Sequence, residues 1–169
     1  FAVIANLVLY LTEDLNFSVV IAGTVLALTQ VSGAITKPLS GFISDRMAKG
    51  RRKPVYLTMC IITTVACAIP IFGLQDRSWL IFPVFLALGA ATIGSGGIYT
   101  TLAGELAGKD LIATVVGTGT AIAGSGVLIG PPLFGLIVDR TGSYPMAWVF
   151  LTVCGLIATL LIWLIKEQK

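Results

Sequence analysis

The 169-residue sequence has no histidine and few charged residues, which make up 11% of the chain. Without histidine there is no Ser-His pair for nucleophilic catalysis and no imidazole ligand for a metal. The Gly-x-Gly-Asp motif of membrane aspartyl proteases is missing, and Cys60, Cys67 and Cys154 show no Cys-x-x-Cys spacing. We therefore predict a protein that is not an enzyme and that has no catalytic residue, metal or cofactor.

The composition indicates a membrane protein. Hydrophobic residues make up 56% of the chain, and the mean hydropathy is +0.97. A water-soluble domain with so much apolar surface would aggregate, whereas a lipid bilayer accepts it. The net charge of +3 is too small to suggest nucleic-acid binding. We expect an all-α membrane protein whose partner is the lipid bilayer and not a nucleic acid.

Six apolar segments run along the chain, separated by polar residues. Five are long enough to span a bilayer, whereas the first would cover roughly 16 Å of a ~30 Å hydrocarbon core. We interpret this first segment as the truncated end of a longer helix. The segments are residues 1–11, 18–44, 54–74, 79–103, 111–138 and 144–165.

The basic residues between the segments indicate orientation, because cytoplasmic loops retain Lys and Arg. Arg77 and Arg140 lie on the side opposite to the other nine basic residues. We therefore expect the loops 45–53 and 104–110 and the C-terminus in the cytoplasm. The predicted location is a cell membrane crossed several times, most simply a bacterial plasma membrane.

Two decapeptides share the pattern x-Pro-Leu-x-Gly-x-Ile-x-Asp-Arg, at residues 37–46 and 131–140. Each ends the second helix of a three-helix set, but the expected topology places the first end inside and the second outside. We therefore predict one domain, residues 1–169, built from two inverted repeats, residues 1–74 and 75–169. Inverted three-helix repeats are typical of secondary transporters, in which they surround a site near the bilayer midplane.

The loop after the second segment resembles the signature loop of the major facilitator superfamily, although two extra residues precede Gly50. The resemblance implies one six-helix half of a transporter. The form of the loop favours the C-terminal half, with an N-terminal six-helix half missing. We expect Asp45 and the arginines to latch the two halves together, unless the basic residues only set topology. This predicted gating loop contains Gly41, Asp45, Arg46, Gly50, Arg51 and Arg52.

Glycine is concentrated between residues 89 and 135. This predicts closely packed helices, either fixed or moving. Two prolines late in the fifth segment remove backbone hydrogen bonds, so a helix bend is predicted at Gly130, Pro131 and Pro132.

Polar side chains at mid-depth are candidates for solute binding, because lipid disfavours them. Gln30 and Tyr99 are the strongest candidates, and Gln30 shares a helix face with Gly23, Ala27, Ala34 and Lys37. The resemblance implies that the first, second, fourth and fifth helices line the central cavity. For each hydroxyl residue the alternative is a hydrogen bond within or between helices. The other candidate substrate-binding residues are Asn6, Tyr10, Thr100, Thr118 and Ser125.

The charged side chains indicate which solute and which coupling ion the protein could transport. Lys37 either attracts an anionic solute or extends its amino group to the membrane interface. No acidic residue lies at mid-depth of a segment. A coupling ion, proton or sodium, would therefore bind in the missing half unless Glu105 reaches inward.

These features together predict secondary active transport of a small solute, an organic metabolite or anion, by alternating access. Drug or multidrug efflux is the alternative within the same class. A non-transporting membrane scaffold or sensor is the alternative from another class. A channel is disfavoured because no ring of charge and no carbonyl-rich filter motif is present.

Overall fold

The computed structural model describes residues 2–46, 51–74, 77–108 and 110–165. These residues form six α-helices and no β-strand. A π-helical turn at Tyr10–Asp14 follows the first helix, and 3-10 turns at Ile69–Phe72 and Ser78–Leu80 flank the loop before the fourth. The helices are α1 (Ala2–Leu9), α2 (Val19–Arg46), α3 (Arg52–Ala68), α4 (Ile81–Ala107), α5 (Ile112–Thr141) and α6 (Tyr144–Leu164).

The predicted all-α membrane fold is confirmed. Helices α2 to α6, with their adjoining turns, are long and apolar enough to cross a bilayer. Each of them overlaps the predicted segment to within a few residues at either end. The described part of α1 has eight residues and is too short to cross a bilayer by itself.

A two-residue link joins α5 to α6. Gly142 adopts a left-handed conformation with φ of 63°, and its N–H donates to the Val138 carbonyl oxygen over 2.8 Å, which closes the end of α5. Pro145 then stands in the first turn of α6, where no N–H is needed. The short link makes α5 and α6 antiparallel neighbours.

The most extensive helix contact joins α2 to α4. A Cβ atom on Gly89 would lie 2.1 Å from the Thr29 carbonyl oxygen, so glycine permits this approach of the two backbones. Ser40 Oγ, which is fully buried, donates across the contact to the Gly94 carbonyl oxygen over 3.1 Å. We call this contact the α2–α4 seam, formed by Thr29, Ser32, Gly33, Ser40, Gly89 and Gly94.

A buried aromatic cluster joins the end of α1 to α4, α5 and α6. Neighbouring rings have centroid separations of 5.2 to 6.4 Å in tilted or edge-to-face arrangements. Such pairs contribute about 0.5 to 1.5 kcal/mol each beyond their buried area. The cluster therefore anchors one end of the bundle, and its members are Tyr10, Phe85, Phe134, Tyr144 and Trp148.

The helix contacts follow a paired pattern. Helix α2 packs on α4, as α5 packs on α1; α1 meets α2, as α4 meets α5; and α2 meets α3, as α5 meets α6. Helices α3 and α6 also pack on each other. Exchanging α1 with α4, α2 with α5 and α3 with α6 maps each of these contacts onto another or onto itself. The extensive contact between α3 and α4 is the exception, because the described residues of α6 and α1 make no comparable contact. This is the pattern expected of two repeats, whose bounds at 1–74 and 75–169 stay a prediction.

Candidate functional site

One face of α2 carries Gln30, one of the two strongest predicted site residues. Gln30 is exposed there, together with Gly23, Ala27, Ala34 and Lys37. Gln30 and Lys37 are two helical turns apart, so their side chains project from one line, about 10 Å apart along the axis. We call these five residues the α2 polar face.

Lys37 is a cation within a membrane-spanning helix. Its amino group has no hydrogen bond or ion pair with any residue that the structure describes. Its Cε lies 3.7 Å from the position of a Cβ on Gly96, so the aliphatic stem runs along α4. Such a cation is unfavourable unless it meets water, an anion or the membrane interface. Lys37 therefore makes the α2 polar face attractive to an anion.

Two predicted residues of α4 lie about one turn beyond Gly96. Thr100 is exposed on the same side of α4 as Gly96, and its hydroxyl donates within its own helix over 2.8 Å. Tyr99 is half-buried, and its ring centroid is 6.3 Å from that of Tyr56 in α3. Its Oη lies 1.9 Å from the position of a Cβ on Gly119, so Tyr99 reaches over α5 where glycine leaves room. The structure thus brings Lys37, Tyr99 and Thr100 to one region of α2 and α4.

The predicted hydroxyl residues of α5 bond within their own helix. Thr118 Oγ1 donates to the Thr114 carbonyl oxygen, and Ser125 Oγ donates to the Ile122 carbonyl oxygen, each over 2.6 Å. Both residues are exposed. Their protons are engaged, so toward a solute these hydroxyls act as acceptors.

Asn6 and Tyr10 make contacts of another kind. Asn6 Nδ2 donates to the Ala2 carbonyl oxygen over 3.0 Å and to the Pro131 carbonyl oxygen over 3.4 Å, which links α1 to α5. Tyr10 is 1% exposed within the aromatic cluster, and its hydroxyl has no hydrogen-bond partner among the described residues. Neither residue belongs to the α2 polar face, and their roles as solute ligands stay predictions.

The predicted bend lies where α1 and α5 meet. Helix α5 is continuous through Pro131 and Pro132, from Ile112 to Thr141. A Cβ on Gly130 would lie 3.2 Å from the Ala2 Cβ, so the glycine allows α1 to approach. The bend at Gly130, Pro131 and Pro132 stays a prediction.

An ion network ties together the ends of α2, α3 and α4. Arg52 Nη1 pairs with Asp45 Oδ1, and Arg52 Nε lies 3.3 Å from Glu105 Oε1. The two carboxylate side chains are 61% and 50% exposed, so each pair contributes about 1 kcal/mol or less to stability. The arrangement positions the three helix ends more than it stabilises the fold.

The rest of the predicted gating loop is partly described. The Arg46 guanidinium lies 5.1 Å from the ring centroid of Phe42. A Cβ on Gly41 would meet no atom within 4 Å. The Arg51 side chain is exposed, and its carbonyl oxygen accepts a hydrogen bond from Ser44 Oγ over 3.2 Å. Gly50 lies outside the described residues, and the latch between halves stays a prediction.

Two contacts of this loop were not predicted. The sequence predicts Glu105 in the loop 104–110, but this residue lies in the last turn of α4, and 53 residues separate it from its partner Arg52. Lys53 Nζ donates to the Ile165 carbonyl oxygen and to that of Trp163, the latter over 2.8 Å. Unpaired carbonyl groups at a helix end favour a nearby cation, but the sequence does not show which helix end comes near.

The opposite end of the bundle carries two acids next to the aromatic cluster. Tyr144 Oη donates to Glu13 Oε2 over 2.5 Å. Partial burial raises the pKa of the Asp14 carboxyl group above its ordinary value. Both acids lie outside the membrane-spanning helices α2 to α6.

Comparisons with known proteins agree with these features. A family model described as Major Facilitator Superfamily matches residues 1–169. A probable hexose phosphate transport protein of Chlamydia muridarum is 30% identical over 95% of this chain and 36% of that protein. Tetracycline resistance protein, class E, of Escherichia coli is 28% identical over 92% of this chain and 37% of that protein. Monocarboxylate transporter 2 of Homo sapiens is 26% identical over 85% of this chain and 30% of that protein.

The chain spans about a third of the length of these relatives, between 30% and 37%. No solved structure matches the chain significantly. The family match covers every residue, and the described helices are those of a protein that crosses the membrane several times. The chain belongs to the major facilitator superfamily.

Proposed function

We propose that the chain is the C-terminal six-helix half of a secondary transporter that moves a small organic anion by alternating access. The observation that carries the proposal is Lys37, an unpaired cation on an exposed face of a membrane-spanning helix. A cation without a partner inside a membrane-spanning segment marks a solute pathway more often than a structural contact.

The neighbours of Lys37 suit a carboxylate or phosphate group. Gln30 offers an amide two turns away on the same face, and Thr100 and Tyr99 lie about one turn along α4 from Gly96, which the lysine stem approaches. An ammonium group with neutral hydrogen-bonding groups in the same region favours a compact anion. Two of the relatives have names that refer to anionic solutes, hexose phosphate and monocarboxylate.

The alternating-access part of the proposal rests on how the helices pair. The contact pattern is compatible with two interlocked repeats, and α2 and α5 each expose long apolar faces. A second six-helix half would cover these faces, and the solute would bind between the halves. In this proposal the Arg52 network and the C-terminus face the cytoplasm of a bacterial cell.

Coupling to a proton or sodium ion would depend on the second half. Among the described residues, Glu105 is engaged with Arg52, and Glu13 and Asp14 lie at the other end of the bundle. None of these acids lies at mid-depth. We therefore assign the coupling carboxylate to the preceding half.

Transport in proteoliposomes tests the proposal. The full-length transporter would be reconstituted in liposomes that are loaded with a labelled sugar phosphate or monocarboxylate. Exchange of the labelled solute would then be measured for the unmodified protein, Lys37→Met and Lys37→Arg. We expect Lys37→Met to lose at least about tenfold in exchange rate, since the solute charge would meet no cation. Lys37→Arg should retain part of the activity, and Arg77→Met, which removes an exposed basic residue elsewhere, should behave as the unmodified protein. Full anion exchange by Lys37→Met would contradict the anion assignment.

Drug efflux is a second candidate, favoured by the similarity to the tetracycline resistance protein. An amphipathic drug would contact the exposed α5 face and would not depend on the Lys37 charge. Tetracycline flux that persists in Lys37→Met, with no anion exchange in the unmodified protein, would select this function. Absence of flux for every solute class would instead select the non-transporting scaffold or sensor.

A further inference from the structure

A crevice of about 210 Å³ opens between α3, α4 and α6, away from the α2 polar face. We propose that it binds one acyl chain of a phospholipid from the surrounding bilayer. The residues that carry the argument are Cys60, Thr63, Ala91, Ser95, Gly155 and Ala158.

The crevice lies at the depth of the hydrocarbon core. Cys60 is eight residues into α3, Ala91 is ten residues into α4, and Gly155 is eleven residues into α6. At the rise of an α-helix, these positions are about 12 to 16 Å from the respective helix starts. An acyl chain, not a head group, is the part of a lipid found at this depth.

The chemistry of the walls favours hydrocarbon over water or a polar solute. Ser95 Oγ donates to a carbonyl oxygen of its own helix over 2.9 Å. Thr92 Oγ1 likewise donates within its own helix, to the Leu88 carbonyl oxygen over 2.6 Å, and no charged side chain lines the crevice among the described residues. An ordered water needs two or more polar partners, so these walls do not hold water well. An acyl chain would restore the dispersion contacts that an empty crevice forgoes.

The surroundings identify the occupant as a phospholipid. The outer sides of α3 and α6 expose large apolar residues, such as Val65 at 55% and Leu156 at 56%, so this side of the bundle faces lipid. Arg51, Arg52 and Lys53 stand at the start of α3, about 10 to 13 Å along the axis from Cys60, and Lys53 is two turns before Cys60 on the same face of the helix. A phosphate at this basic group and an acyl chain beside Cys60 match the order of groups along one phospholipid.

Photolabelling of the full-length transporter tests this site. The protein would be reconstituted in phosphatidylcholine vesicles that contain a phospholipid with a diazirine midway along one acyl chain. After illumination, labelled residues would be mapped by mass spectrometry. We expect severalfold more label on residues 59–63 and 155–158 than on the exposed apolar residues 19–21 at the start of α2.

Two variants separate a filled crevice from general contact with lipid. Ala158→Leu from α6 and Thr63→Leu from α3 should each reduce crevice labelling severalfold and leave the label on residues 19–21 unchanged. Ile157→Leu, on an exposed position of α6, is the matched control and should label normally. The two variants alter different helices. If one of them fails to fold, the other still tests whether the crevice is filled.

Three results would overturn the proposal. Uniform labelling of all exposed apolar residues would show that no crevice site exists. Unchanged crevice labelling in both variants would show that the label does not enter there. Equal labelling by a diazirine-bearing alkane without a head group would assign the crevice to any apolar molecule and not to a phospholipid.

Discussion

The α2–α4 seam and the α1–α5 contact occupy equivalent places in the paired pattern of helices, but they are built differently. In the seam, glycines bring the backbones together and Ser40 forms a buried hydrogen bond to Gly94 over 3.1 Å. Among the described residues, the α1–α5 contact has one interhelical hydrogen bond, from Asn6 to Pro131 over 3.4 Å. In the described part of α5, Phe134 alone is buried.

We infer from this difference that α2 and α4 form a fixed unit and that α5 can move. Backbones in close contact are expected to move together, since no side chain can yield between them. A helix with little buried surface and few interhelical hydrogen bonds separates from the rest of a fold at a lower free energy than a well-packed helix does. We therefore expect α2 and α4, with Lys37, to form a rigid support, while α5 shifts during transport.

Replacement of a seam glycine should have the largest effect. In Gly89→Ala the new methyl group would lie 2.1 Å from the Thr29 carbonyl oxygen, a backbone atom that cannot rotate away. We expect a loss of about 3 kcal/mol or more in the free energy of unfolding, or no folded protein. Thermal unfolding in detergent measures this effect.

Gly126→Ala is the matched control on α5, where a Cβ would meet no atom within 4 Å. It should leave the midpoint of unfolding unchanged or raise it slightly, because alanine favours the helix. Equal destabilisation by the two variants would remove the distinction between the α2–α4 seam and the α1–α5 contact.

The Arg52 network should affect transport more than stability. Asp45→Asn keeps the ion pair of Arg52 with Glu105 on α4 and removes the ion pair that ties Arg52 to α2. We expect a several-fold drop in the rate of solute exchange, with the free energy of unfolding changed by about 1 kcal/mol or less. Asp45→Glu, which keeps the charge, should be less impaired. Undiminished exchange by Asp45→Asn would show that the network is not part of the gate.

Two substitutions with smaller expected effects compare the α2–α4 seam and the α1–α5 contact directly. Ser40→Ala removes a buried donor and leaves the Gly94 carbonyl oxygen without its interhelical partner, a loss of about 1 kcal/mol. Asn6→Ala removes a longer and partly exposed bond and should lose less than half of that. Thermal unfolding of both variants in one detergent checks the order. A larger loss for Asn6→Ala would make the α1–α5 contact the stronger of the two.

The smallest expected effect is the pH dependence of stability that Asp14 causes, in the turn that follows α1. Burial raises the pKa of Asp14, so the folded protein holds this proton more tightly than the unfolded chain does. Stability should therefore decrease as pH rises from the ordinary aspartate pKa of about 3.9 through the raised value. Glu13 and Tyr144 face the same region and remain in place in the variant. Asp14→Asn should flatten this part of the pH profile of thermal unfolding, and an unchanged slope would contradict the assignment.

The sequence predicts the helices well because hydropathy and helix ends are local properties. The exposure of Gln30, Ala34 and Lys37 on one face of α2 also follows from their spacing. The seam does not follow from the sequence. Glycines were expected to pack closely from residue 89 to 135, yet Gly89 meets α2 while Gly124 and Gly126 meet nothing within 4 Å. Which glycine is in contact depends on the rotation of each helix, which only the tertiary structure shows.

Tyr10 and Glu105 illustrate the same limit for the site. Tyr10 was a candidate solute ligand because of its place in the first segment, and it lies in the aromatic cluster with Trp148. Glu105 pairs with Arg52 from 53 residues away. Both partners are distant in sequence, so neither contact is visible in local spacing.

The equivalence of the α2–α4 seam and the α1–α5 contact depends on two repeats that cross the membrane in opposite directions. The direct measurement is two-sided thiol labelling of Arg46→Cys and Arg140→Cys, each in the full-length transporter with its native cysteines replaced. Both positions are exposed and end the matching decapeptides. We predict that an impermeant maleimide reaches Cys variants at 46 and 140 from opposite compartments. Labelling of both from the same compartment would contradict the inverted repeats and the transport mechanism built on them.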